Sequence, residues 1–280
     1  MLCRAGDVGI RAPRTQRPKN FGPLFLKSGC LLNHVRRSAD GGQYQVRLRS
    51  TGVRRPLPSP VIAAAFLLAA FATRLPVLHR SVLDWDESLY FLMAQSWHAG
   101  HLPYTTIWDN KPLGIYAIFA AFQAVFGERI VAMRLAAVAF AAALAWLVHG
   151  ITLALTTNRR AALLAGCAVI LCSLSNDGLS ANTELFMASF TAAAVLLALR
   201  GGPAPAIGLL LGCAFMVKYV AVFEAPVVFF LILSQRPGRW LRSAAWMLAG
   251  AALPLLAVVL SLAAEPNAAN TPFLLGPSRV

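Results

Sequence analysis

The sequence predicts an all-α fold: a polytopic membrane helical bundle of about seven spans, with interfacial helices in the first outer loop. Three observations carry this prediction. The 280-residue chain is 58% hydrophobic and only 13% charged, where a soluble domain carries about 25% charged residues. Long apolar runs recur at 61–73, 130–155, 161–174, 185–199, 206–217, 220–233 and 244–264. The basic stretches between these runs also alternate, so that a single orientation puts every one of them in the cytoplasm.

Taken in order, residues 1–57 hold twelve Lys and Arg against two acids, Asp7 and Asp40, most of the net charge of +14. The stretch is rich in Arg, Gly and Pro and has no amphipathic period. It reads as a disordered extension that keeps the N-terminus cytoplasmic, and no nucleic-acid partner is expected. The first apolar run begins only at residue 61 and has no small-residue cleavage site behind it, so a cleavable signal peptide is not expected. The five cysteines (Cys3, Cys30, Cys167, Cys172, Cys213) have neither disulfide nor zinc spacing.

The first span, 61–78, is interrupted near its end by Arg74 and Pro76 and exits the cytoplasm. The polar stretch 79–111 follows as an acidic outer loop, with a helix at 89–99 lying along the interface where its Trp and Tyr residues settle. The apolar stretch 112–126 is short of the roughly 20 residues that crossing requires, so it is expected at the interface or only partly inserted. Spans at 130–155, 161–179, 185–199, 206–217, 220–233 and 243–264 complete the bundle and leave Arg159, Arg160, Arg200, Arg236, Arg239 and Arg242 inside.

On this topology the ionisable residues that interrupt or border the apolar segments gather on the outer side: Asp86 with Glu87, Lys111, Glu184 and Lys218. Charges beside a bilayer are costly and mark functional sites. Each also has a plainer explanation: Asp84 or Ser88 as a helix cap, Lys111 as an interface lysine reaching for water, Glu184 as a helix N-terminal acid. Carboxylates and ammonium groups on one membrane face point to an enzyme acting on a phosphate-bearing lipid.

These stretches, in this order, resemble the GT-C class of polyprenyl-phosphate-sugar-dependent glycosyltransferases, most of all bacterial relatives of protein O-mannosyltransferases and of the lipid A aminoarabinose transferase. The matching residues are Arg74-Leu75-Pro76, Asp86-Glu87-Ser88-Leu89-Tyr90, Gly100-His101-Leu102-Pro103-Tyr104 and Trp108-Asp109-Asn110-Lys111-Pro112-Leu113. Asn182-Thr183-Glu184 and Gly212–Lys218 follow. Where the family commonly has a second proline after the lysine, this chain has Leu113.

The resemblance implies a membrane glycosyltransferase domain over 58–264, with its catalytic loop at 79–111, that moves a sugar from a polyprenyl-phosphate donor to a glycan, lipid or protein acceptor with inversion. It implies Asp86 and Glu87 as catalytic carboxylates, Asp86 being the base that deprotonates the acceptor hydroxyl, with Lys111 and Lys218 on the donor phosphate, Glu184 as a second acidic group, and Tyr90, Asp109 and Asn110 as support. A divalent metal, Mg or Mn, would sit between Asp86 and Glu184 if one is used. Residues 265–280 fall where a later outer loop of the family begins and are expected to be a truncated tail. The Ala-, Leu- and Arg-heavy composition suggests the inner membrane of a bacterium, with the site facing the periplasm or exterior. The competing readings are a transporter or lipid-carrier flippase, against which the absence of an internal repeat counts, and an inactive truncated remnant.

Overall fold

The computed structural model describes residues 59–263, apart from Val82 and residues 176–178 and 236–237. The expected basic extension (1–57) and outer tail (265–280) lie outside the described residues. Helices are α1 (Pro60–Arg74), α2 (Trp85–His98), α3 (Leu113–Phe126), α4 (Ile130–Thr156), α5 (Arg159–Cys172), α6 (Thr183–Leu199), α7 (Ala204–Val217), α8 (Ala225–Gln235) and α9 (Trp240–Ala263). Short 3-10 turns, Leu75–Val77 and Tyr219–Phe223, follow α1 and α7, and no strand occurs among the described residues.

The local chemistry explains where the helices begin. The Ser59 side chain accepts from Val61 N with Pro60 in the first turn of α1. Asn158 accepts from Arg160 N and Ala161 N to open α5, and Asn182 from Thr183 N to open α6. Of the seven spans expected, three are long and apolar enough to cross a membrane: Pro60–Val77, Ile130–Thr156 and Trp240–Leu260. The segments Thr183–Leu199, Ala204–Val217 and Tyr219–Ser234 form shorter apolar helices. The helix in the span expected at 161–179 ends at Cys172, and just past its end the Arg74 guanidinium donates to the Ser173 carbonyl (3.3 Å) and hydroxyl (2.9 Å).

α4 is the centre of the bundle. Half of its apolar window is buried, 50% against 17% for those of α1 and α9, and it packs on α1, α3, α5 and α6. Its buried face is largely alanine (Ala132, Ala136, Ala137, Ala141, Ala142, Ala145), which lets neighbouring backbones come close. α3, expected at the interface or only partly inserted, buries Leu113, Ile115, Tyr116, Phe119 and Gln123 against its neighbours α2, α4 and α7. α7 lies between α3 and α9 on contacts that admit no side chain. A Cβ on Gly208 would fall 1.9 Å from Met247 O, one on Gly250 2.0 Å from Pro205 O, and one on Gly114 2.5 Å from Met216 O.

Candidate functional site at one end of the bundle

Sequence reasoning put Asp86 and Glu87 in a loop ahead of a helix at 89–99. The helix instead starts at Trp85, with Asp84 extended (φ −145°) at the cap position, and both acids lie in its first turn, where exposed backbone N–H groups favour negative charge. Being in a helix separates the two neighbours. Asp86 faces outward with its side chain 46% exposed, while Glu87 turns into the core and is fully buried. Glu87, expected beside Asp86 as a catalytic group, instead meets Arg134 of α4 in a buried ion pair and also accepts from Ala181 N at 2.8 Å. Both contacts fall on Oε1, while Oε2 is buried without a hydrogen-bond partner among the described residues.

Lys111 precedes α3 in the chain, and its Nζ lies 3.3 Å from Asp86 Oδ2. It also donates to Asn110 Oδ1 at 3.5 Å, the outer limit for a hydrogen bond. Tyr90, one turn after Asp86, donates to the same Oδ2 at 3.0 Å. Asp109 accepts from Tyr116 at 2.7 Å and from Asn110 N at 2.7 Å. Tyr104 donates to the Lys111 carbonyl at 2.7 Å, and its left-handed backbone (φ 70°) aims the ring at Tyr116, 5.7 Å away. Such a conformation costs a non-glycine residue about 1–3 kcal/mol and persists only where the surroundings enforce it.

The second pair forms because α6 and α7 are consecutive helices joined by a short turn, so that the start of one meets the end of the other. Glu184 lies in the first turn of α6, and Lys218 follows the last residue of α7. Lys218 Nζ donates to Glu184 Oε1, and the Thr183 hydroxyl donates to Glu184 Oε2 at 3.1 Å. Lys218 itself is extended (φ −152°, ψ 128°), a break between α7 and the 3-10 turn that leaves its side chain partly open, 27% exposed.

Two links bring the pairs together. Gly114, three residues after Lys111, touches the backbone of Met216, two residues before Lys218. Asn182 Nδ2 donates to Asp84 Oδ2 at 3.3 Å, joining the start of α6 to the start of α2. Electrostatics shows the same convergence at Tyr90. Burial, then the charge of Asp86, then those of Asp109 and Glu184 push its phenol well above the ordinary value of 10.0. Its hydroxyl is thus a permanent donor to Asp86. Burial likewise pushes Tyr104 up, ahead of the influence of Tyr219 and Asp109.

The sequence reading missed Arg134, Tyr104 and Tyr116 as parts of this site. Arg134 was legible by the rule that found Lys218, an ionisable residue inside an apolar run. As for a metal, no cluster of three His, Cys, Asp or Glu that could hold one occurs among the described residues. Asp86 and Glu184 are each engaged by a lysine instead, so these residues do not make a closed cation site. Two ammonium–carboxylate pairs at the open end of a bundle can accept a proton from a hydroxyl and neutralise an arriving anion.

The family model described as dolichyl-phosphate-mannose-protein mannosyltransferase matches residues 110–262, a stretch that includes Lys111, Glu184 and Lys218 and begins after Asp86. No curated protein and no solved structure matches the chain.

Proposed function

Because the chain belongs to the dolichyl-phosphate-mannose-protein mannosyltransferase family and is a membrane glycosyltransferase by that membership, we propose that it moves a hexosyl or pentosyl unit from a polyprenyl phosphate to an acceptor hydroxyl. The acceptor is a protein, lipid or glycan on the non-cytoplasmic side of a bacterial inner membrane. The observation that carries the reading is the Asp86–Lys111 pair, a carboxylate and an ammonium group 3.3 Å apart, at the same bundle end as the Glu184–Lys218 pair.

The acceptor O–H gives its proton to Asp86 as its oxygen attacks the anomeric carbon of the donor sugar. The bond from that carbon to the phosphate oxygen breaks on the opposite face, so the configuration inverts and no covalent enzyme intermediate forms. Polyprenyl phosphate leaves as an anion, and Lys111 and Lys218 neutralise the charge that develops on it. Glu184 holds Lys218 until the phosphate arrives. Tyr90 orients Asp86, while Asp109 and Asn110 support the segment that carries Lys111. No step is routed through a divalent ion.

The orientation rests on charge. With the N-terminus inside, Arg159, Arg160, Arg200, Arg239 and Arg242 border the cytoplasm, and the lysine–carboxylate pairs lie at the other ends of α6 and α7. The test is release of polyprenyl phosphate by membranes containing the chain, supplied with a panel of polyprenyl-phosphate sugars. Release that Asp86→Asn abolishes supports the proposal; release that Asp86→Asn leaves unchanged refutes the assignment of the base, and a retained anomeric configuration refutes inversion.

A further inference from the structure

The buried Glu87–Arg134 pair belongs to neither lysine–carboxylate pair, yet everything around it leads to them. Its side chains are 0% and 1% exposed, deeper than any other ion pair among the described residues. Glu87 Oε1 takes the Arg134 guanidinium and, at 2.8 Å, Ala181 N; Arg134 Nη2 reaches the Arg80 carbonyl at 3.3 Å. Four separate segments therefore end on one charge pair: the stretch before α2, the first turn of α2, α4, and the turn into α6. Asp86 adjoins Glu87, Asn182 follows directly on Ala181, and Glu184 comes three residues after it.

We infer that Glu87 and Arg134 are positioning residues that lock the Asp86–Lys111 half of the site to the Glu184–Lys218 half, setting the gap in which the donor phosphate and acceptor meet. This assignment rests on the reading of the two pairs given above, but the geometry it requires can be measured without any sugar transfer. A pair so thoroughly desolvated is a poor source of net stability, since an apolar replacement of like volume is often as stable. What it supplies is registry. The fork of Arg134, one nitrogen on Glu87 and the other on the Arg80 carbonyl, and the Ala181 N bond to Glu87 fix α2 against the α6 turn in one relative position, where lipid-facing apolar contacts would let them slide.

The test reads the distance between the two halves directly. Cysteines at Asp84 and Asn182, whose side chains are hydrogen-bonded at 3.3 Å, are placed in a full-length chain with the natural cysteines replaced by alanine. A short bifunctional thiosulfonate then cross-links them in membranes. With Glu87 and Arg134 intact, cross-linking is fast. In the Glu87→Gln/Arg134→Met double variant, which leaves no lone charge buried, it slows about tenfold or more, the scale of a lost buried coupling. Arg134→Lys falls between the two, because it keeps the charge but not the forked geometry. An unchanged cross-linking rate in a double variant that still inserts and runs as a single species in detergent overturns the inference. If the double variant does not insert, Arg134→Lys decides alone: parental cross-linking speed overturns the lock, and slowed cross-linking supports it. Slowed cross-linking in a chain where Asp86→Asn has no effect on transfer would uphold the lock and reject the proposed function. Where transfer is measurable, kcat falls in step with the cross-linking rate and the KM for the donor rises with it, because Lys111 and Lys218 lie on opposite sides of the loosened gap.

Discussion

Lys111 Nζ and Asp86 Oδ2 lie 3.3 Å apart, so the cation assigned to the donor phosphate and the carboxylate assigned to the acceptor proton occupy one another in the resting chain. With side chains 22% and 46% exposed, such a pair is worth no more than about 1 kcal/mol. It is easily exchanged. On the proposed mechanism an arriving phosphate takes Lys111 and frees an oxygen of Asp86 for the acceptor, and donor binding is expected to precede proton abstraction.

Asp86→Asn therefore has two opposite effects. Sugar transfer falls by about 10²–10⁴, the usual share of a general base. Binding of the product, polyprenyl phosphate, tightens several-fold, because Lys111 no longer has to leave a carboxylate. Equilibrium binding of polyprenyl phosphate to purified wild-type and variant chains in nanodiscs checks it, and weaker binding to the variant contradicts the exchange.

Lys111→Met and Lys218→Met each lower transfer by about 10²–10³, the scale on which one preorganised group facing transition-state charge contributes. Both effects are expected mainly at the phosphate, so turnover of donors with better leaving groups is less sensitive to either change. Steady-state rates across donors of graded leaving-group acidity separate this from a folding defect, which lowers all of them equally.

Gly114→Ala places a methyl group 2.5 Å from the Met216 carbonyl and forces α3 from α7. Lys111 and Lys218 move apart with their helices, raising the KM for donor roughly tenfold, about 1.4 kcal/mol, with a smaller change in kcat. Gly100→Ala serves as the comparison: no atom lies within 4 Å of its added Cβ, and its cost comes from its backbone angle of φ +89°. Only the Gly114 variant is expected to alter the donor KM.

The tyrosines set an alkaline limit. Burial raises Tyr90 and Tyr104 above the ordinary phenol value of 10.0, whereas in the unfolded chain both ionise near it. Their contribution to stability is complete below about pH 10 and is lost as pH climbs from there toward the folded-state values, since the unfolded chain then binds fewer protons. Thermal unfolding in detergent between pH 8 and 12 follows the loss, with Tyr90→Phe and Tyr104→Phe flattening the alkaline decline. A decline of equal slope in both variants contradicts it.

Charge in an apolar setting was the legible part of this molecule. Asp86, Lys111, Glu184 and Lys218 stand out in the sequence, and helix order brings them to one end of the bundle. Their partners were not legible, because whether Lys111 meets Asp86 or Glu184 depends on how α2, α3, α6 and α7 pack. The distinction between Asp86 and Glu87 disappeared once both were assigned to a loop, since only a helix turns successive residues about 100° apart. Tyr104 stood out only as part of the Gly100–Tyr104 stretch, and its contacts were not legible, because they depend on a left-handed backbone that nothing in Pro103-Tyr104-Thr105 announces. The early end of α5 had a weak signal, an arginine at position 74 that needed an acceptor within the bundle.

The glycine contacts on either side of α7 have a consequence for how sequence change reaches the site. Met247 to Gly208, Pro205 to Gly250 and Met216 to Gly114 form a train of backbone-on-backbone contacts running from α9 to the residue three past Lys111. Side chains at such contacts would absorb a shift by changing rotamer; bare backbone transmits it undiminished. One methyl group added at Gly250 of α9 is therefore expected to shift α7, and through Met216 and Gly114 the segment that carries Lys111.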